Sequence, residues 1–64
     1  MNDVKVRRFI RLDEVKHLTG ISRSSIYARE DFPRPVKIGK HATAWLEHEV
    51  QAWIERRVAT REVA

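Results

Sequence analysis

Four consecutive residues, Thr19-Gly20-Ile21-Ser22, set a helix stop directly beside a helix start. Glycine reaches the left-handed conformation that closes a helix at almost no steric cost. A serine hydroxyl accepts from a backbone N–H of the turn that follows it and so caps a new helix. A chain that stops and restarts in so short a span must reverse sharply, and two short helices then meet at a corner. Ahead of the corner, Leu12, Val15 and Leu18 recur at helical spacing, with Asp13 and Glu14 in the first turn, where negative charge favours a helix start. Behind it, Arg23 to about Glu30 reads as the second helix, with Ile21 and Ile26 inward and Tyr27 over the edge of the core. Neither helix would persist alone in water, so both need packing partners.

The rest of the chain supplies them. Phe32-Pro33-Arg34-Pro35 cannot be helical, because each proline pushes the residue before it into an extended conformation. Val36-Lys37-Ile38 alternates as a half-buried strand does. Gly39-Lys40-His41 is a turn with Gly39 expected at positive φ, and Ala42 to Trp45 returns as a second strand. A lone hairpin is marginal in water and must lie on the helices. Trp45 then opens the last helix, on which Leu46, Val50, Trp53, Ile54 and Val58 draw one apolar stripe. Glu47 and Glu49 near its start and Arg56, Arg57 and Arg61 near its end suit the helix dipole. The expected fold is mainly α with a small β-hairpin, a winged helix-turn-helix. Residues 9–58 form the domain, 1–8 a flexible basic arm anchored by Phe9-Ile10-Arg11-Leu12, and 59–64 a frayed tail.

Sixty-four residues make one domain with a thin core and no room for an enclosed, lidded pocket. With no cysteine there is no disulfide, thiolate metal site or cysteine nucleophile. His17, His41 and His48 have no metal-ligand spacing, the serines lack a base with an orienting partner, and the carboxylates are scattered. The expectation is therefore no metal, no cofactor and no catalysis. No apolar run approaches the roughly 20 residues of a membrane span, and MNDVKVRRFIRL lacks the apolar core of a secretory signal. These features point to the cytoplasm.

The net charge is +4, and its placement matters more than its size. Residues 1–12 and 22–41 each carry a net +3, while 13–21 and 42–64 each carry −1. Such a footprint calls for a polyanion. The corner gives that charge a shape. Ser22 caps the second helix and leaves its leading end outward, exposing Arg23, Ser24 and Ser25, with Ala28 and Arg29 farther along. A helix fits the major groove, where its first residues reach base edges. Arg23 can take a guanine edge or a phosphate, Ser24 and Ser25 can donate or accept, and Ala28 can meet a thymine methyl. Arg34, Lys37, Lys40 and His41 cluster on or beside the hairpin as a basic wing for the backbone or minor groove, and Arg7 and Arg8 of the arm follow the backbone. The expected double-stranded DNA contacts are Ser22, Arg23, Ser24, Ser25, Tyr27, Arg29, Arg34, Lys37, Lys40 and His41, with packing the competing role for Tyr27. Trp45 and Trp53 read as core and not as base-stacking platforms.

The stretches LDEVKHLTGISRSSIY, FPRPVKIG, HATAWLEHEVQAWI and the closing ERR resemble the AlpA-type phage and prophage regulators over roughly residues 9–58. The resemblance implies a small winged-helix protein similar to excisionases and to the DNA-binding end of MerR-type activators. It further implies a role in switching on genes for prophage excision, the integrase gene among them, or in directing excision. Two features depart from the family pattern. Only Ala28, Arg29, Glu30 and Asp31 separate Tyr27 from Phe32, so the recognition helix should end early and the wing angle shift. His41 stands where an arginine is common, and a neutral imidazole is the weaker phosphate partner.

A module this small buries roughly 600–1,000 Å² on DNA, so a homodimer or a cooperative array on repeated sites is expected. RNA polymerase and integrase are the further partners that the resemblance implies. Two alternatives stand beside a DNA-binding transcription regulator. One is a DNA-bending excision factor, and the other is a helix-turn-helix used only for protein interaction.

Overall fold

Gly20 stands at φ 73° and ψ 11°, in the left-handed region, and its N–H donates to the Lys16 carbonyl at 2.7 Å. Two residues on, the Ser22 hydroxyl accepts from the Ser25 N–H at 3.4 Å and caps the next helix. Thr19 reinforces the corner, its hydroxyl donating to the Val15 carbonyl and accepting from the Ile21 N–H. The computed structural model describes residues 7–61, with elements β1 (Phe9–Ile10), α1 (Leu12–Thr19), α2 (Arg23–Ala28), β2 (Val36–Gly39), β3 (Ala42–Leu46) and α3 (Glu47–Ala59). Among the described residues Gly20 alone has positive φ, and a Cβ built there meets nothing within 4 Å. Gly20→Ala is therefore expected to cost about 1–2 kcal/mol from backbone conformation alone. A urea melt checks it, and an unchanged midpoint would show that the corner does not need glycine.

The sheet has three antiparallel strands in the order β1-β3-β2, where the sequence reading had only the hairpin. The added strand pairs Phe9 with Leu46 and Ile10 with Trp45. At two residues, β1 is too short to show alternation, and only its neighbour β3 makes it a strand. Arg8, the last residue of the expected arm, is tied to the domain beside this pairing. The Arg8 carbonyl accepts from the Glu47 N–H at 2.8 Å, and its guanidinium meets Glu47 Oε2 at 2.7 Å and Glu14 Oε2 at 3.6 Å. The first turn of α3 has no side-chain cap at Leu46, so the Arg8 carbonyl satisfies one of its free N–H groups. Residues 1–6 of the expected arm and 62–64 of the expected tail lie outside the described residues.

Two details of the hairpin also differ from expectation. Gly39 does not take positive φ. The register passes from Lys37↔Thr43 to Gly39↔Ala42, so Ile38 is the extra residue of a bulge and is exposed instead of facing inward. The returning strand includes Trp45 as expected and runs on to Leu46, so the last helix opens at Glu47 and not at Trp45.

Helices and sheet close on Ile10, Val15, Ile26, Phe32, Trp45, Val50 and Trp53, with Leu12, Leu18, Ile21 and Ile54 packed around them. Both indole N–H groups are satisfied, by the Pro33 carbonyl for Trp45 and by Asp31 Oδ2 for Trp53. Phe32 meets Trp53 edge-on at 4.9 Å, which pins the extended segment to α3. No buried polar or charged residue occurs among those described. The result is a small domain of three helices and one antiparallel sheet, compatible with a winged helix.

Candidate nucleic-acid interface

The leading end of α2 faces solvent, with Ser22, Arg23, Ser24 and Ser25 all exposed. α2 stops short of the expected end near Glu30. The helix ends at Ala28, and Arg29, in extended conformation, closes it through its N–H to the Ser25 carbonyl. Two of the hydroxyls are already engaged: Ser22 accepts from the Ser25 N–H and donates to the Ser25 Oγ at 3.2 Å. The arginine reaches outward beside Tyr27, its guanidinium 5.7 Å from the ring centroid. Tyr27 is half exposed, and its ring meets that of Trp45 edge-on at 5.7 Å. Its ring thus packs on the core, the role expected to compete with DNA contact, and its exposed side lies beside Arg23.

Arg23 and Tyr27 border a polar hollow of about 260 Å³ whose other walls are Arg11, Leu12, Asp13, His41 and Thr43. Three elements build it: the entry to α1, the exposed flank of α2, and the hairpin tip. Arg11 Nε donates to the Thr43 carbonyl at 3.1 Å, which ties the entry of α1 to β3 and fixes the guanidinium at the rim. Two permanent cations and an imidazole thus face one carboxylate across the hollow, an arrangement suited to an anion. Lys37 is the register partner of Thr43, so its side chain leaves the same face of the sheet. Lys40 and His41 are exposed at the tip.

The sequence places Arg11 in the anchoring patch and in the positive charge of residues 1–12, and not among the expected DNA contacts. A signal was present. Arg11 occupies the N-cap position of α1, where a short polar side chain is the rule, and it makes no side-chain cap. An arginine there is free for another task.

The remaining expected residues do not join this group. Arg34 lies on another side, lining a groove between the proline segment and α3 with His48, Glu49 and Arg56. Arg29 turns toward α3, its guanidinium 5.6 Å from the Trp53 ring centroid and its Nε 3.4 Å from Asp31 Oδ1. The angle at that distance makes no hydrogen bond, so this buried Nε is left without one. Arg7 is exposed, while Arg8 is held by Glu14 and Glu47.

Asp31 anchors the far end of this cluster. The Trp53 N–H, with the charges of Arg29 and Arg57, holds its carboxyl below the ordinary 3.8. A depressed carboxyl contributes stability that is complete above its unfolded pKa and is lost as pH falls through the lowered one. The melting-temperature gap between the native chain and Asp31→Asn is therefore expected to narrow from about pH 5 to about pH 2. Circular dichroism melts across that range test this, and a constant gap would remove Asp31 from the acid response.

The domain is thus an antiparallel sheet with three helices that carries a cationic hollow between α2 and the hairpin tip. Residues 8–58 match the family described as "Prophage CP4-57 regulatory protein (AlpA)", and the chain belongs to that family. It is 44% identical over 63 residues to "Uncharacterized protein ORF88" of Enterobacteria phage P4, covering 94% of this chain and 72% of that one. It is 32% identical over 66 residues to "DNA-binding transcriptional activator AlpA" of Escherichia coli (strain K12), covering 89% of this chain and 94% of that one. No solved structure matches the chain.

Proposed function

We propose that this chain is a sequence-specific, double-stranded DNA-binding transcription regulator of phage or prophage genes, those for integration and excision among them. It works as a winged helix-turn-helix in the cytoplasm, by binding and without catalysis. In this reading α2 enters the major groove, with Arg23 and Ser24 toward base edges, and the β2–β3 hairpin is the wing, with Lys37, Lys40 and His41 on the backbone. The observation that carries it is the convergence of Arg11, Arg23 and His41 on one hollow between α2 and the hairpin tip. Two arginines, from the entry of α1 and from α2, outnumber the single Asp13 carboxylate and, with the His41 imidazole at the hairpin tip, match a phosphate backbone that passes from groove to wing. The relative named as a DNA-binding transcriptional activator supports the same reading.

Selection of bound duplexes from a random pool tests it. The expected result is an enriched motif whose half-site spacing also reports whether one copy, a pair or an array binds. Retention of all sequences alike would leave a non-specific DNA binder. No retention at low salt would leave only a protein-interaction module.

A further inference from the structure

A second surface stands apart from the hollow at Arg11 and Arg23, and the DNA reading does not use it. The C-terminal part of α1, the corner and the second half of α3 enclose an open groove of about 420 Å³. Its floor is apolar, made of Leu18, Ile21 and Ile54 above the nearly buried Trp53. Val58 extends that floor and is 49% exposed, although it lies on the apolar stripe of α3. Arg29, Arg57 and Arg61 form the rim, and no carboxylate lines the groove among the described residues.

The charge on this rim is under-compensated. Arg29 and Arg57 both lie over the Trp53 ring, at 5.6 and 5.8 Å from its centroid. Asp31, outside the groove, is the carboxylate that meets Arg29, and it leaves the Arg29 Nε without a hydrogen bond. Arginines spaced along an apolar trough match the acids of an amphipathic segment whose apolar side chains fill the floor. A second copy of this chain fits less well, since its net +4 opposes the rim. A DNA backbone fits less well too, since it leaves the apolar floor uncovered.

We propose that the groove between α1 and α3 is a docking site for an acidic amphipathic peptide segment of a protein partner, separate from the DNA-contacting hollow. A regulator built this way holds DNA with one face and a second protein with another.

The probe is a fluorescein-labelled peptide of about 15 residues with Leu and Phe on one helical face and Glu and Asp on the other. Its controls are the same peptide with Lys in place of the acids, and an acidic peptide with Ser in place of the apolar residues. The full-length chain is titrated by fluorescence anisotropy. The acidic amphipathic peptide is expected to bind at least about tenfold tighter than either control. Val58→Asp and Arg57→Glu should each weaken it by about tenfold or more while duplex DNA affinity stays near native. Both positions are exposed, so both variants should keep the native circular dichroism spectrum. Equal binding of the three peptides, or peptide affinity untouched by both variants, overturns the proposal. Loss of DNA affinity in Arg57→Glu without loss of peptide affinity would reassign the rim to DNA. A chain that binds the peptide but no duplex would uphold the groove and sink the DNA reading, so the two failures are distinguishable.

Discussion

Trp45→Ala is expected to leave most of the chain unfolded at room temperature. The side chain is fully buried at the centre of the sheet, paired with Ile10 across β1, edge-on to Tyr27, and hydrogen-bonded to the Pro33 carbonyl. Truncating a buried tryptophan costs about 3–5 kcal/mol, and the Pro33 carbonyl also loses its donor. Stability of about 0.05–0.15 kcal/mol per residue gives a chain of this length only roughly 3–10 kcal/mol in total. The loss is therefore comparable with the whole. Trp45→Phe keeps the ring contacts, gives up the N–H, and should remain folded with a lowered midpoint. Far-UV circular dichroism with urea titration separates the two variants. A cooperative native-like transition in Trp45→Ala would mean that the core closes without this residue. The consequence reaches the candidate interface, because Tyr27 leans on Trp45 and Arg23 stands beside Tyr27.

Duplex DNA affinity is expected to fall steeply with salt. If Arg11, Arg23, Lys37 and Lys40 each neutralise one phosphate, log K falls against log salt with a slope of about −3.6. Raising salt from about 50 to about 200 mM then weakens binding roughly 150-fold. Single substitutions divide the set. Arg11→Ala and Lys40→Ala should weaken every duplex alike and flatten the slope by about 0.9 each. Arg23→Ala should instead cost about 1–3 kcal/mol on the selected site and relax preference at one base position. If its loss is the same on every sequence and the slope flattens, Arg23 is a phosphate clamp. A slope unchanged in Arg11→Ala would remove the hollow from the interface. His41→Arg is a gain-of-affinity companion, since a permanent cation replaces an imidazole at the hairpin tip.

Some of this architecture was legible in the residues because it rests on local chemistry. The stop at Gly20 and the cap at Ser22 are events within one turn of chain, and the structure has both. The early end of α2 followed from the short link between Tyr27 and Phe32, a matter of counting residues. The apolar stripe of α3 foretold the burial of Val50 and Trp53. It does not foretell Val58, which is 49% exposed and lines an open groove with Leu18 and Thr19 at the end of α1.

What the sequence determined by itself was therefore the corner, the cap, the hairpin and the last helix, because each is set by groups a few residues apart. Tertiary structure decided the rest. Phe9–Ile10 became a strand because β3 offered it an unpaired edge, and Arg8 is held because two glutamates from different helices came within reach. It also sorted the cations. Periodicity and charge counts treat Arg11, Arg23, Arg29 and Arg34 alike, yet packing sends the first two to one hollow and the others to separate grooves. Distance through space, which no local pattern encodes, is the physical quantity that turns scattered positive charge into a site.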